Sequence, residues 1–566
     1  MDNNAAVMVR AALIMNARDS KKQGMELLEK MIRDNSRRQN EIYLKLFPPV
    51  RPDRDATHIS SLIDKKSAEL MRLHDAIKTH EADLNASVSL SQLRKDCATT
   101  YAELERLRSL LSPIRILPVE LLGEIFLLAS ATKKASLSTL IITHVCASWR
   151  NIAISKPELW SSLKLEPHHF SSGSRDIFSL AKLWLERSGN QPLRLHIRPE
   201  DNPMEIPTGP TPDDLFIQLV HLYCPHFARW QDIFLAYPRF FADDEELFSQ
   251  IPPDASFRCL ESFGLISDGI STSDMTNFPP LLTRAPKLTK VTWVVGLSDR
   301  DPSFSYAQLT RLTVGGQYSL ERALIMLYYG TDLRSVEFKV SIKRIDIATD
   351  FVPVVNESLQ QLALTCMGNA SVFFELLTLP ALQDLQITKA HSWLDTTISW
   401  LRQGTFIEFL SRSKCRLTNL VIVDFIMTSE ELVILLRLSP SLVRFHIESF
   451  RARFVTNRVL EALVYPAEDS VALVSPDAAD SSLVICPFLR QLYIVGCLSA
   501  TDGILARMVE SRCPPPPGLA RLELGVFGLD STKSPGDYSR ILALNGIHDN
   551  VDFTILDESI GSTDGG

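Results

Sequence analysis

The stretch Leu359-Gln360-Gln361-Leu362-Ala363-Leu364 decides the fold, and Leu382-Gln383-Asp384-Leu385-Gln386-Ile387 repeats its pattern 23 residues later. Apolar and variable residues alternate at the end of each segment, which is typical of a strand with one buried face. Segments of this form recur along the C-terminal two thirds of the chain. Their first residues are Trp230, Leu260, Leu288, Leu309, Leu333, Leu359, Leu382, Leu417, Leu442, Leu489 and Leu519. This recurrence predicts a sheet assembled from similar units.

Most steps between these segments are close to the roughly 20–29-residue period of leucine-rich repeats, in which each unit is a short strand plus a helix. Several helices predicted between the strands begin beside Ser, Thr or Asp residues that can cap them. Examples are Ser319–Tyr329, Ser371–Leu379, Phe406–Ser411 and Ser429–Arg437. One unit cannot bury its apolar side alone, so the resemblance predicts an irregular α/β solenoid over residues 166–556.

Two stretches within this region and the end of the chain depart from the repeat. Residues 465–481 are polar and lengthen one interval, which predicts a loop outside the repeat. Pro514–Pro517 directly precede the last segment, which favours a connection between units over a polyproline ligand. Residues 557–566 are rich in glycine, and we predict a flexible tail.

A heptad-like pattern occupies residues 56–111. Apolar residues recur at alternating steps of three and four, with a shift between Leu84 and Leu90 and polar interruptions at Lys66, His80 and Thr100. The pattern predicts a long helix or a helical hairpin. It leaves open whether this arm pairs with another chain or folds onto its own domain. Residues 1–55 are predicted to form a helical, partly disordered leader that ends in a proline cluster.

Residues 112–165 predict three short helical pieces with more apolar surface than they can hide. Pro118 stands where a missing amide costs a helix nothing, and Glu120 lies near the positive end of the helix dipole. The second predicted helix covers roughly Ser138–Ser155. Because so small a unit has a poor ratio of volume to surface, part of its apolar surface should meet a partner or the next domain.

These residues resemble the F-box motif in type, order and spacing over about 45 residues. The preceding long helix also resembles the arrangement in F-box proteins of mushroom-forming fungi. In that family the F-box binds the Skp adaptor of cullin-based (SCF) ubiquitin ligases, and the rest of the chain selects the substrate. The resemblance therefore implies a set of adaptor-binding residues. They are Leu117, Pro118, Glu120, Leu121, Leu122, Ile125, Phe126, Val145, Cys146, Trp149, Arg150 and Trp160.

The resemblance implies a substrate-recruiting subunit, which reaches a cullin scaffold through the Skp adaptor and holds an unknown protein substrate on its repeats. Residues 56–111 could add self-association. Two other interpretations stay open, namely an F-box scaffold without a role in degradation and a coiled-coil structural protein. An enzyme with its own activity is the third competitor.

Composition and missing motifs narrow the function classes. The chain has 566 residues and a net charge of -8, so a general nucleic-acid or anionic-membrane binder is disfavoured. Nine dispersed cysteines predict a reduced compartment, and no apolar run of membrane-spanning length or secretory pattern occurs, so we expect a cytoplasmic or nuclear protein. No phosphate loop, nucleophile elbow or metal-ligand spacing is present. We therefore expect no catalytic residue, cofactor or metal.

Overall fold

A computed structural model describes most of the repeat region and the helices before it. The described residues are 52–81, 87–111, 114, 117–130, 138–166, 177–198, 212–237, 248, 250–267, 281–295, 304–316, 320–341, 352–367, 370–389, 404–466, 484–547 and 551–558. The predictions for the leader up to residue 51, for residues 467–481 of the insertion and for the tail after residue 558 lie outside them.

The chain divides into two compact units. The first comprises Met1–Lys164 and Ser171–Gln191, and the second comprises Leu165–Phe170 and Pro192–Gly566. Helices dominate the first unit. They are α1 (Pro52–Glu81), α2 (Ser87–Leu110), α3 (Val119–Ser130), α4 (Ser138–Val145), α5 (Ala147–Ile154) and α6 (Ile177–Arg187), with a 3₁₀ turn at Pro157–Trp160 before the short strand β1 (Ser162–Leu165).

Helices α1 and α2 form an antiparallel hairpin, one of the two arrangements that the heptad pattern predicts. The Lys66 Nζ atom lies 2.9 Å from Glu103 Oε2, and the Cys97 Sγ atom lies 3.9 Å from His74 Nε2. Leu104 is buried in the hairpin. The seam of each helix therefore meets the other helix of the same chain.

The main sheet contains 14 strands, and their order in space is their order in the chain. Parallel pairing links the neighbours from β2 onward. After β1 the strands of this sheet are β2 (Leu193–Ile197), β3 (Trp230–Tyr237), β4 (Ser262–Ser267), β5 (Lys290–Val295), β6 (Arg311–Gly316), β7 (Ser335–Ser341), β9 (Gln361–Met367), β11 (Asp384–Lys389), β12 (Asn419–Val423), β13 (Arg444–Glu448), β15 (Gln491–Val495), β17 (Leu524–Leu529) and β18 (Asp552–Asp557).

Helices and short strand pairs connect the strands of the main sheet. The helices are α7 (Pro212–Tyr223), α8 (Leu320–Tyr329), α9 (Ser371–Leu376), α10 (Thr405–Ser413), α11 (Ser429–Arg437), α12 (Asn457–Leu463), α13 (Ile504–Ser511) and α14 (Pro535–Ile547), with 3₁₀ turns at Cys224–Arg229 and Tyr306–Gln308. β8 (Val354–Val355) pairs with β10 (Leu377–Thr378), and β14 (Val455–Thr456) pairs with β16 (Leu498–Ser499). The chain is thus a mixed α/β protein, as predicted, and its main sheet is large and parallel.

Register explains the spacing of the apolar residues. Leu362 pairs with Leu385, and Leu385 pairs with Leu420, so equivalent apolar residues lie side by side in one buried layer. Helix α11 begins with a capping box, in which the Thr428 hydroxyl accepts the Glu431 amide and the Glu431 carboxylate accepts the Thr428 amide. The predicted helix Ser429–Arg437 is therefore confirmed.

The prediction for the last repeat is wrong by three residues. The pattern placed Leu522 and Leu524 beside Leu492 and Ile494 of β15, but Gly525 and Phe527 of β17 pair with these residues and are buried. Side chains alternate along a strand, so a shift by an odd number of residues exchanges its faces. A Cβ at residue 525 would lie 2.7 Å from the Phe527 ring, so the glycine makes room for this ring in the core.

A buried arginine joins both ends of the insertion to α13. The Arg512 guanidinium donates to the carbonyls of Leu463, Ile485 and Cys486 at 2.8, 2.9 and 3.1 Å. It also donates to the Tyr465 hydroxyl at 3.0 Å and lies over that ring. Burial lowers the pKa of Arg512, but the backbone carbonyls and the ring compensate the desolvated charge.

Candidate functional site

Helix α3 presents apolar side chains on two faces, and one of them is buried. This face consists of Leu122, Gly123 and Phe126. Pro118 precedes the helix, and its carbonyl accepts the Leu122 amide at 3.0 Å. Gly123 makes room for Lys156, because a Cβ would lie 2.7 Å from the Lys156 Cε atom. These contacts fix α3 from one side.

The opposite face of α3 is an exposed apolar stripe. Leu121, Ile125 and Leu128 are 52%, 42% and 72% exposed. They follow one another at steps of four and three, so they lie on one helical face. Glu124 lies beside them and is held by Lys156 at 3.4 Å. An apolar stripe with a polar border is typical of a surface that binds another protein.

Helix α4 has the same two-sided character. Thr139 and Thr143 are buried, and the Thr139 hydroxyl donates to the Leu159 carbonyl at 3.0 Å. Ile141 and Val145, one turn apart on the other side, are 68% and 50% exposed. Helices α3 and α4 contact each other. We call five of their exposed apolar residues, Leu121, Ile125, Leu128, Ile141 and Val145, the α3–α4 surface.

The predicted helix Ser138–Ser155 is in fact two helices. Cys146 has extended backbone angles and separates α4 from α5. Its Sγ atom accepts the Trp149 amide at 3.5 Å, so the thiol caps α5. A pattern of apolar residues alone does not reveal this break, because apolar spacing continues through it.

Aromatic side chains form the interior of the helix trio. The Trp160 Nε1 atom donates to the Ala153 carbonyl at 2.7 Å, and its ring meets Trp184 edge-to-face at a centroid distance of 4.7 Å. The Phe126 and Trp149 rings are also 4.7 Å apart. These rings hold the helices to one another.

The structure sorts the twelve predicted adaptor-binding residues into three classes. Those at the surface are Pro118, Glu120, Leu121, Ile125 and Val145, those half-buried are Leu117, Cys146, Trp149 and Arg150, and those buried are Leu122, Phe126 and Trp160. The buried three belong to the core and cannot contact a partner while the unit stays folded. The expectation that Phe126 and Trp160 anchor a partner is therefore corrected, because their rings pack inside the chain.

Leu128 and Ile141 belong to the α3–α4 surface, although neither was among the predicted site residues. Both lie on helices whose other face is already apolar. The available signal was the width of the apolar stripe, which exceeds what one buried face requires.

Four cysteines of the second unit have thiols of low reactivity. Burial raises the pKa of Cys224, Cys486 and Cys497 to about 12 each and the pKa of Cys415 to about 11. These thiols therefore stay protonated near neutral pH and are poor nucleophiles. Within the described ranges, no group of three or more His, Cys, Asp or Glu side chains could hold a metal ion.

The second unit contains a polar cleft of about 640 Å³ beside the last strands. Its cations are engaged: Lys533 pairs with Asp530, and Arg453 lies 3.6 Å from Glu558. The carboxylate of Asp502 accepts the amides of Gly536 and Asp537 and thereby caps α14. Hence the acids of the cleft stabilise the fold.

Comparison with known proteins gives no assignment. No protein-family model matches the chain, and no curated protein is significantly similar to it. Among the described residues, every helix is too short or too polar to cross a membrane. Function must therefore be argued from the sequence and from the α3–α4 surface.

Proposed function

We propose that this chain is the substrate-recognition subunit of an SCF-type ubiquitin ligase. In this proposal α3, α4 and α5 are the F-box and bind the Skp adaptor, which connects the chain to a cullin scaffold. The sheet of the second unit is an irregular leucine-rich-repeat-like solenoid that recruits a protein substrate for ubiquitination. The compartment would be cytoplasmic or nuclear.

The α3–α4 surface is the observation that carries the proposal. Five large apolar side chains stay exposed on a unit that already has a complete aromatic core. Exposing them costs free energy that burial in a partner would recover, at about 25 cal/mol per Å² of apolar area. Three of the five, Leu121, Ile125 and Val145, are positions at which the F-box resemblance implies adaptor contact.

The sheet supports the second half of the proposal. Equivalent apolar residues of successive strands stand in register, as stacked repeats require. The opposite side chains of the same strands face solvent or are half-buried, for example Gln386 and Val421. A long face of variable side chains on a rigid frame suits recognition of a protein.

The hairpin argues for a folded arm rather than for self-association. Lys66 and Glu103 meet across the seam within one chain. Because the seam is used internally, we do not include dimerisation through residues 56–111 in the proposal. We also assign no catalytic role to this chain, since a substrate-recognition subunit presents its substrate and leaves ubiquitin transfer to other subunits.

A pull-down of the purified full chain with a recombinant Skp adaptor tests the proposal. The variant Leu121→Asp/Ile125→Asp places two charges in the α3–α4 surface. If these side chains are buried in the complex, each change should cost at least about 1–3 kcal/mol, and binding should fall by more than about tenfold. The matched control is Ile434→Asp/Leu542→Asp, which changes two similarly exposed apolar residues of α11 and α14.

Loss of binding in the first variant alone, with unchanged circular dichroism, would support the F-box assignment. A folded native chain that does not bind the adaptor would reject it. Binding of the adaptor without cullin-dependent ubiquitination of any captured protein would favour a scaffold without a role in degradation.

A further inference from the structure

Three cations at the beginning of β5, at the beginning of β6 and directly before β7 have no side-chain partner within the described part of the chain. Lys290 begins β5 and Arg311 begins β6, and the two residues are direct neighbours in the ladder. Arg334 directly precedes β7, and its amide donates to the Thr310 carbonyl next to Arg311. All three side chains are exposed, and none makes a hydrogen bond or ion pair with a described residue.

Cations outnumber carboxylates on β4 to β7 and at the residues directly before these strands. Strands β4 to β7 contain one acidic residue, Glu337, which lies 3.1 Å from Lys339 and accepts the Thr313 hydroxyl at 3.4 Å. Glu261, just before β4, accepts a hydrogen bond from Gln231 at 3.1 Å. A chain with a net charge of -8 therefore has a local positive field at this point.

An apolar row crosses the same face four positions further along the strands. Ala236, Ile266, Val294 and Gly315 are aligned in register from β3 to β6. Ile266 and Val294 are half-buried, and Val294 covers Gly315, where a Cβ would lie 2.8 Å from it. Lys290 and Val294 point to the same side and lie about 13 Å apart, at roughly 3.3 Å per residue.

Small side chains form the floor between the cations and the apolar row. Gly264, Thr292 and Thr313 are aligned across β4, β5 and β6. The Phe234 ring of β3 lies over Gly264, where a Cβ would be 2.5 Å from it, and Glu337 of β7 flanks Thr313. The face is therefore low at Thr292 and Thr313 on β5 and β6, with positive charge at one end and aliphatic surface at the other.

We propose that this face binds an extended acidic segment of a partner protein. Carboxylates of the segment would meet Lys290, Arg311 and Arg334, and an aliphatic residue about four positions away would pack on Ile266 and Val294. The aliphatic row disfavours single-stranded nucleic acid, whose sites place aromatic rings between cations for base stacking. That the segment belongs to a substrate rests on the proposed ligase function, whereas the binding itself does not.

Fluorescence polarisation of the full chain tests the proposal without the adaptor. The probe is a fluorescein-labelled twelve-residue peptide with three glutamates, a Gly-Ser spacer and a Leu-Ile pair four positions beyond. The variant Lys290→Glu/Arg311→Glu should weaken binding by more than about tenfold, because attraction becomes repulsion. The matched control is Arg437→Glu/Arg507→Glu, which reverses one exposed charge on helix α11 and one on helix α13. It should leave binding unchanged.

A second peptide, in which Gly-Ser replaces the Leu-Ile pair, tests the aliphatic contact separately. This peptide should bind about tenfold more weakly, as expected for the loss of apolar burial. If Lys290→Glu/Arg311→Glu fails to fold by circular dichroism, Lys290→Gln/Arg311→Gln takes its place with a smaller expected loss. The proposal is overturned if the native chain does not bind the peptide, or if Lys290→Glu/Arg311→Glu and the control Arg437→Glu/Arg507→Glu bind it equally well. It is also overturned if the native chain binds a single-stranded oligonucleotide of equal charge more tightly than the peptide. A chain that binds the peptide but not the Skp adaptor would refute the ligase function alone.

Discussion

Helices α3 and α13 have similar fractions of apolar residues but differ in how many of them are buried. Helix α13, in the sheet unit, buries Leu505, Ala506, Met508 and Val509 and leaves Arg507 exposed. Helix α3, in the helical unit, buries one apolar face and exposes the other. The first pattern is complete within the chain, whereas the second lacks a covering surface. The comparison indicates which of the two helices is covered within the chain and which has apolar surface left for a partner.

The largest expected effect comes from the core of the helical unit, where Trp160→Ala would show that this unit has a real interior. The change removes the Trp184 contact and the bond to the Ala153 carbonyl. We expect a loss of about 3–5 kcal/mol in the free energy of unfolding. Urea unfolding together with hydrogen exchange of α3 and α5 measures it. Native-like protection in the variant would mean that the aromatic core does not hold the trio.

Arg512→Met tests the corresponding statement for the sheet unit. The substitution keeps most of the side-chain volume but leaves the carbonyls of Leu463, Ile485 and Cys486 without their donor. We expect a loss of about 3 kcal/mol, since unsatisfied buried acceptors retain their desolvation cost. Arg507 lies on the solvent-exposed face of α13, so Arg507→Met should change stability by less than about 0.5 kcal/mol. Equal effects of the two changes would contradict the role of Arg512.

Substitutions in the α3–α4 surface should leave the free energy of unfolding almost unchanged, unlike substitutions in the core. Leu128→Ser/Ile141→Ser changes two exposed residues that support no described interior contact, so we expect a change in stability within about 0.5 kcal/mol. Thermal unfolding monitored by circular dichroism measures it. A loss as large as that of Trp160→Ala would show that another part of this chain covers the surface, and the proposed partner would then be unnecessary.

A similarly small effect is expected in the hairpin. The bonds to Glu103 and Glu69 raise the pKa of Lys66 above its ordinary value. The stabilisation is therefore complete below the ordinary lysine pKa and is lost as the pH rises through the folded-state pKa. Because the pair is solvent-exposed, Lys66→Met should cost only about 0.5 kcal/mol near neutral pH. Thermal unfolding of both proteins at neutral pH and near pH 11 should show the difference disappearing.

Local pattern was informative where one buried face dictates the spacing. The α/β class, the succession of strands and the helix Ser429–Arg437 follow from alternation, period and capping residues. The pattern failed where neighbouring geometry decides. The break at Cys146 and the inward position of Gly525 and Phe527 depend on a thiol cap and on the space around an aromatic ring.

The predicted site shows the same division. The sequence identified α3 and its apolar residues, because composition and spacing are local properties. It could not separate Leu121 from Leu122, which are adjacent and chemically identical. Only the tertiary structure places Leu122 against the core and Leu121 in solvent, because burial depends on which neighbouring elements cover a face.

The sequence by itself determined the strand period, the apolar helical trio and the resemblance that connects the trio to an adaptor. The tertiary structure decided which apolar residues remain available, that the heptad arm closes on itself, and that Lys290, Arg311 and Arg334 come together. These three cations lie in different repeats, and parallel pairing sets Lys290 beside Arg311 and Arg311 beside Ser335, the residue after Arg334. Long-range proximity of this kind arises from register between strands, which no single stretch of sequence contains.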